Sequence, residues 1–370
     1  MKTGRSIVVL DAFDVRDDGK GVSRALVNIV PRLAARASDR RAYVVLSTPE
    51  GARLLEGLLP NQLRIVPDTR GSLWEQVSLP WFARSVGAKL IYMLREVAPL
   101  VGPPYILHIP EDPEVRWRRE PPKGTRERTR ATYQRFLMRR SLSRASALLA
   151  ISSATAQRME RQYGLVPGTI SPVPLAVEER FLNAARKERG GFVFHLGSSD
   201  PRDNTVQVIR AYGELARQLQ DPPELIVGGD LGSLEREALS VVPGVSAGVS
   251  VRFLGRVSDE SLGELYAGAL VCVQPASDEG FGLQPLEAMA TGAAVIVLDT
   301  PAVREVVGDA ADVLPSLSPQ VLATHLRLLI ESQDRRRELG RRARLRAATF
   351  RWDRTVDQIE SAIDVYLEKN

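Results

Sequence analysis

Two glutamates set the chemistry to look for. Glu279 and Glu287 lie eight positions apart in residues 278–291, DEGFGLQPLEAMAT, directly after the apolar run LVCVQP. On one continuous helix, eight steps of about 100° would leave them about 80° apart and poorly convergent. The glycines remove that difficulty. Gly280 and Gly282 interrupt the backbone, Pro285 suits the first turn of a helix and Gly292 its end, so the pattern predicts a helix from Gln284 to Thr291. Glu279 is then on the loop and Glu287 on the helix. One ligand would meet a loop carboxylate, main-chain N–H groups around Gly280, Phe281, Gly282 and Leu283, and a second carboxylate one turn further in. Carboxylates accept paired hydrogen bonds from vicinal hydroxyls, while N-terminal amides and the helix dipole favour a diphosphate. That is the chemistry of a sugar nucleotide. Two solvated carboxylates around a glycine turn would account for either residue alone but not for the ordering.

Gly21, within KGVSR, follows the run SIVVLDA and precedes a helix-like segment. A strand, a glycine turn and a helix let a backbone approach a phosphate closely, although an ordinary loop glycine fits the same letters. His108 in YILHIP reads, from its own surroundings, as a packed histidine at a strand end more readily than as a functional one. The three histidines, His108, His195 and His325, are far apart and no Asp-x-Asp offers a Mg²⁺ clamp, so neither a metal nor a cofactor is expected. The single cysteine, Cys272, lies in an apolar run and reads as an unreactive buried thiol.

These residues need a scaffold. Short apolar runs alternate with helix-length segments: SIVVLDA, AYVVLS, LRIVP, KLIYML, YILHIP and ALLAIS, then FVFHLG, ELIVGG, VRFLG, LVCVQP and AVIVLD after a weaker stretch at 177–190. That alternation is α/β, and it restarts once. The expectation is two Rossmann-like domains, 1–177 and 190–350, facing across a cleft, because open α/β sheets bind ligands at the carboxyl ends of their strands. The segment WDRTVDQIESAIDVYLE carries Val356, Ile359, Ile363, Tyr366 and Leu367 at helical spacing. It is expected to form an amphipathic helix over about 352–370 that packs back on the first domain.

A length of 370 residues suits two domains, and 44% apolar and 26% charged residues are ordinary for a globular chain. No apolar run reaches the roughly 18 residues that span a bilayer, and the start lacks a signal-peptide pattern, so a cytoplasmic location is expected. Residues 1–180 hold 29 Lys/Arg against 18 Asp/Glu (29 − 18 = +11), and residues 181–370 hold 21 against 27 (21 − 27 = −6). The excess is densest at 116–144, with 11 basic and 2 acidic residues. Such a stretch suits an anionic membrane surface, hence a peripheral place at the inner membrane face, or an acidic acceptor; a solvated helix is the alternative. Nucleic acid is not an expected partner, since no aromatic and basic platform or reading motif accompanies the charge.

DEGFGLQPLEAMATGAAVIV resembles the E-x7-E signature of glycosyltransferase family 4, retaining enzymes of the GT-B fold. The resemblance runs along nearly the whole chain: GKGVSRALVNIVPRL at 19–33 is similar to the family's glycine loop and first helix, YILHIP to its His-bearing strand and ALLAISSATAQRMERQYG to its serine segment. ISPVPLAV at 170–177 stands for the closing first-domain strand, and residues 252–282 follow the second-domain pattern. It implies transfer of a sugar from a nucleotide-diphosphate donor to a glycan, lipid-linked or small-molecule acceptor. Glu279 and His108 would contact the donor sugar and Glu287 the ribose. The chain departs from the pattern after FVFHLG, where the family places cations on the diphosphate. Here the residues are Gly197, Ser198, Ser199, Asp200, Pro201, Arg202, Asp203 and Asn204, with Ser198 and Asp203 where cations were expected. Arg202 remains, Arg256 in FLGRVS is a second candidate, and Asp203 is expected to turn away from the phosphate or to engage a partner such as Arg202. Retention without a carboxylate nucleophile implies a front-face transfer. The alternatives are a scaffold that kept the fold and lost turnover, and a GT-B epimerase whose acid and base carboxylates are not evident.

Overall fold

The computed structural model describes residues 5–17, 21–69, 71–114, 122, 124–184, 191–241 and 250–370. The chain divides into two compact units, one running to Leu175 and resuming at Trp352–Asn370, the other Ala176–Arg351.

The first unit holds a seven-stranded parallel sheet: β1 (Ser6–Asp11), β2 (Arg41–Ser47), β3 (Leu63–Ile65), β4 (Ala88–Leu94), β5 (Tyr105–Ile109), β6 (Ala147–Ala150) and β7 (Ile170–Pro172). Their order is β3-β2-β1-β4-β5-β6-β7. Val9, Ile91, Met93, Leu107 and Ile109 are wholly buried, as expected of parallel strands covered on both faces. Trp74 stacks on Phe13 with centroids 4.3 Å apart within the same core. The last helix, Trp352–Lys369, belongs to this unit. It buries Trp352, Val356, Ile359 and Ile363. Thr355 donates to the Pro174 carbonyl at 2.7 Å. Arg36 pairs with Asp357 and Glu360 at 2.7 and 2.6 Å, and Arg41 pairs with Glu360 and Asp364. Tyr366 and Leu367, expected on the packed face, are only partly covered.

The second unit holds a six-stranded parallel sheet: β8 (Phe192–Leu196), β9 (Glu224–Gly228), β10 (Val251–Gly255), β11 (Val271–Gln274), β12 (Ala294–Leu298) and β13 (Asp312–Leu314), ordered β10-β9-β8-β11-β12-β13. Val193, Val271, Val273, Ala294 and Ile296 form its buried centre with Ile209 and Tyr212 of the helix Thr205–Ala216. In each sheet the order reverses beside the unit's first strand, between β1 and β4 and between β8 and β11. Such a reversal leaves a crevice outside the carboxyl ends of the two strands. Among the described residues, no helix is long and apolar enough to cross a membrane.

Candidate functional site

β8 and β11 are in register only at Val193–Val271 and Phe194–Cys272, and beyond those pairs they part. The amide of Gln274 fills the opening. Its oxygen accepts from the Leu196 N–H at 3.2 Å, and its nitrogen donates to the Leu196 carbonyl at 3.2 Å and to Gln284 at 2.9 Å. His195 braces the same place from below. It is fully buried, with Nδ1 2.8 Å from the Val273 carbonyl and Nε2 3.0 Å from the Thr205 hydroxyl. Burial lowers its pKa to about 4, so the ring is neutral.

Glycine is required where β8 ends. A Cβ on Gly197 would lie 2.3 Å from the Thr205 hydroxyl, and one on Gly229, at φ +101°, would lie 1.9 Å from the Gly197 carbonyl oxygen. The loop then enters a short 3₁₀ turn, Pro201–Asp203. Asp200 holds Arg202 twice, accepting from its main-chain N–H at 2.9 Å and from Nε at 2.7 Å. Arg202 thus takes Asp200 as its hydrogen-bonded partner, and Asp203 engages a different one, which the sequence reading allowed. Asp203 is instead tied to the hydroxyl and main chain of Ser198, and burial, the leading cause, raises its pKa. The two residues that replace cations therefore satisfy each other, which turns the Asp203 charge inward.

Asn204 joins this loop to the one after β11. It is the non-glycine residue with positive φ, +58°, among those described. Its side-chain amide donates to the Arg202 carbonyl at 3.0 Å and to the Pro275 carbonyl at 2.8 Å. The Ser277 N–H donates to the same Arg202 carbonyl at 3.0 Å. Loops 197–204 and 275–282 are thus one rim over the opening between β8 and β11. Two helices begin on it, Thr205–Ala216 and Leu283–Ala290; neither has a side-chain cap or an acidic residue in its first turn. Their dipoles leave a positive end at the rim.

Glu279 is on the loop, partly exposed, and Glu287 is on the helix, 1% exposed. Gly282 has φ +104°, which only glycine adopts without strain, and it turns the chain into the helix one residue earlier than the sequence pattern predicts. Phe281 is buried against Phe350 with centroids 5.9 Å apart, so its main chain rather than its ring faces the rim. Arg256 is exposed at the end of β10, the outer strand, next to Gly255, whose carbonyl accepts from the Gly229 N–H at 2.7 Å.

The other two expected residues belong to the first unit. Gly21 begins the helix Gly21–Ala34, and a Cβ there would meet nothing within 4 Å; residues 19–20 of its motif lie outside the described residues. His108 is wholly buried, with Nδ1 2.9 Å from the Tyr92 hydroxyl and Nε2 3.2 Å from the Val173 carbonyl. Its pKa is lowered to about 4 by burial. In this arrangement both ring nitrogens are occupied within the sheet and neither is offered to a ligand. The apolar neighbours in YILHIP already pointed to that packing.

The sequence reading missed the Asp200–Arg202 pair, the Gln274–Gln284 bridge and the part of Gly229. It also missed a charged group at the reversal point of the first sheet. There Arg95, following β4, reaches Asp11 at 2.9 Å, Asp14 at 2.8 Å and Glu75 at 3.6 Å. The polar letters Asp11 and Arg95 at the ends of two apolar runs were the available signal.

Among the described residues, no group of three or more His, Cys, Asp or Glu is placed to hold a metal ion. Two Rossmann-like parallel-sheet units in series, the second with an anion-favouring rim, define the architecture of the GT-B glycosyltransferases. Comparisons with known proteins agree. Residues 177–346 match the family model described as Glycosyl transferases group 1. The chain is 26% identical over 244 residues to O-antigen chain mannosyltransferase B of Escherichia coli, covering 63% of this chain and 64% of that protein. Among solved structures it is similar to WaaG, a glycosyltransferase involved in lipopolysaccharide biosynthesis, with TM-score 0.70 and 19% identity over 95% of this chain and 98% of that one. It is also similar to Anabaena Alr3699/HepE in complex with UDP and glucose, with TM-score 0.69 and 19% identity over 97% and 99%. The matches cover 49% to 64% of the length of the first three curated relatives.

Proposed function

We propose that the chain is a retaining glycosyltransferase of the E-x7-E kind that takes a sugar from a nucleotide-diphosphate donor and places it on a glycan or lipid-linked acceptor. The observation that carries this reading is the rim over the opening between β8 and β11. Glu279 on its loop, Glu287 on its helix and two helix N-termini stand together there, within the segment that matches the family model. Glu279 binds hydroxyls of the donor sugar and Glu287 those of the ribose. The helix N-termini, the main chain of Gly197 and Gly280–Leu283, and Arg202 hold the diphosphate. As the bond from the sugar's anomeric carbon to phosphate breaks, the bond to the acceptor oxygen forms on the same face. The acceptor's proton passes to the departing phosphate oxygen. Charge on the leaving group is countered by Arg202 and the amides, with no metal needed. His108 acts in this scheme by packing, and Ser198 and Asp203 by shaping the loop.

The helix Thr125–Arg144 carries seven arginines and one acidic residue, with Phe136 exposed among them; residues 116–121 and 123 of the basic stretch lie outside the described residues. We assign to this helix contact with an anionic membrane surface, which suits a lipid-linked acceptor.

The test is a thermal-shift panel of nucleoside diphosphates and nucleotide sugars, on the parent chain and on Glu287→Gln. A cognate donor at about 100 times its dissociation constant adds about 2.7 kcal/mol of stability. Glu287→Gln should keep the fold and lose most of that shift. A panel without any shift rejects the donor site, and binding without sugar transfer leaves a scaffold.

A further inference from the structure

The helix Thr205–Ala216 begins at a buried hydrogen bond. His195 on β8 is wholly buried, and Thr205, the first residue of the helix, is 2% exposed. The Val273 carbonyl on β11, 2.8 Å from Nδ1, can only accept, so Nδ1 carries the proton of the ring. The ring is neutral, which leaves a lone pair on Nε2, and the Thr205 hydroxyl 3.0 Å away donates to it. Two strands and the start of a helix are thus joined through one imidazole.

The direction of that bond has a consequence for the rim. A threonine hydroxyl has one proton, and here it points inward, so Thr205 has none to give to a ligand. Nor does its neighbour cap the helix, because the Asn204 amide is spent on the carbonyls of Arg202 and Pro275. The loop after β8 rests on the same bond. A Cβ on Gly197 would lie 3.2 Å from His195 Nε2 as well as against the Thr205 hydroxyl, so a side chain there would press between donor and acceptor.

Main-chain amides carry more of the work on this rim than cations do. The loop supplies Arg202, already held by Asp200, while Ser198 and Asp203 bind one another. An N–H group grips an oxygen only when aimed at it, and the bond weakens steeply as its angle falls toward about 120°. Whatever fixes the start of the helix therefore fixes the grip.

We propose that His195 and Thr205 are positioning residues for the phosphate end of the donor: their buried hydrogen bond sets the aim of the first-turn amides and the seat of the Gly197 main chain. This inference rests on the preceding reading of the rim as the donor site. Neither side chain touches the donor, and the pair acts through the amides alone.

The experiment measures how much the phosphates add to binding. Dissociation constants of UDP, GDP, ADP and dTDP are obtained by calorimetry, and those of the four nucleosides by displacement of the tightest diphosphate. Thr205→Val keeps the shape and loses the hydroxyl. It should weaken that diphosphate about tenfold and leave its nucleoside unchanged. Thr205→Ser restores the donor and should bind within about twofold of the parent. His195→Gln can still accept the hydroxyl proton through its amide oxygen but loses the link to Val273, and should fall between them. A second readout needs no variant: long-range ¹H–¹⁵N NMR of the parent at pH 7 should show His195 protonated on Nδ1. His108, whose Nε2 faces a carbonyl, carries the opposite tautomer and serves as the internal reference. A proton on His195 Nε2, parental diphosphate affinity in Thr205→Val, an equal loss of diphosphate and nucleoside, or a serine variant no better than valine would overturn the proposal. A parent that binds none of the diphosphates removes the donor reading and this one with it; a parent that binds, with Thr205→Val unchanged, removes only this one.

Discussion

At the scale of single residues, Arg202 carries the heaviest demand. Ser198 and Asp203 are spent on each other, so under the proposed function Arg202 would be the cation this loop supplies to a leaving diphosphate. Its Nε and N–H are fixed by Asp200, which preorganises the group. Arg202→Ala should cost about 2.7 to 4 kcal/mol of transition-state stabilisation, a hundredfold to thousandfold in turnover, and Arg202→Lys should recover only part. Near-parental turnover of the alanine variant in a donor-hydrolysis assay would place the clamp elsewhere. Glu96 makes a separate claim. Desolvation by the surrounding walls first, then Glu111 and Glu75, raise its pKa from 4.5 to about 7, although part of the residue remains exposed beside Arg95. Between those values the folded chain holds a proton that the unfolded chain has released. Its contribution is therefore fully present below about pH 4.5 and lost as the pH rises to about 7. The melting temperature of the parent, relative to Glu96→Gln, should fall across that window and stay flat above it; a constant difference refutes the shift. Of these residues, the places of Arg202 and Glu279 on loops and of Glu287 on a helix were legible, because glycines and proline fix local geometry. Their partners were not, since Asp200 and Glu75 become neighbours only through loop shape and sheet order.

At the scale of elements, the site depends on one asparagine that joins two loops. Asn204 tolerates positive φ better than most residues and spends its amide on carbonyls from both loops. Asn204→Gly removes only the amide, and Asn204→Ala adds backbone strain. We expect a loss of about 1 to 2 kcal/mol for glycine and more for alanine, measured by urea unfolding, with donor affinity falling alongside stability. Equal stability in both variants would mean the loops do not need the joint. The strands show what a sequence can tell about elements. Short, mainly apolar segments announced eleven of the strands. β13, DVL, has three residues and no pattern of its own, and β7 was placed by resemblance alone. Such short outer strands exist because a neighbour offers a hydrogen-bonding edge, which is a property of the sheet and not of the segment.

At the scale of the whole molecule, charge is the feature with a consequence. The chain carries +5 overall, and its first 180 residues carry +11. On the helix Thr125–Arg144, Leu137, Met138 and Leu142 are buried, while Phe136 is 56% exposed with Arg139 and Arg140 three and four positions further on. An aromatic ring beside arginines suits the boundary of an anionic bilayer, where each basic residue near the surface adds about 1 kcal/mol and the ring adds apolar burial. The same helix lines the cavity at the carboxyl ends of β1 and β4 with Arg130, Tyr133, Gln134 and Leu137, positions that share one helical stripe. The chain should therefore co-sediment with vesicles containing phosphatidylglycerol and not with phosphatidylcholine vesicles, and the bound fraction should fall as salt shortens the screening length from about 30 Å at 0.01 M to about 8 Å at 0.15 M. Arg139→Gln with Arg140→Gln should remove about 2 kcal/mol of that binding, and Phe136→Ser should weaken it at every salt concentration. These substitutions touch solvent-facing side chains, so soluble-substrate turnover should be kept. Binding that is absent even at low salt, or equal on neutral vesicles, would leave the arginines as a solvated face.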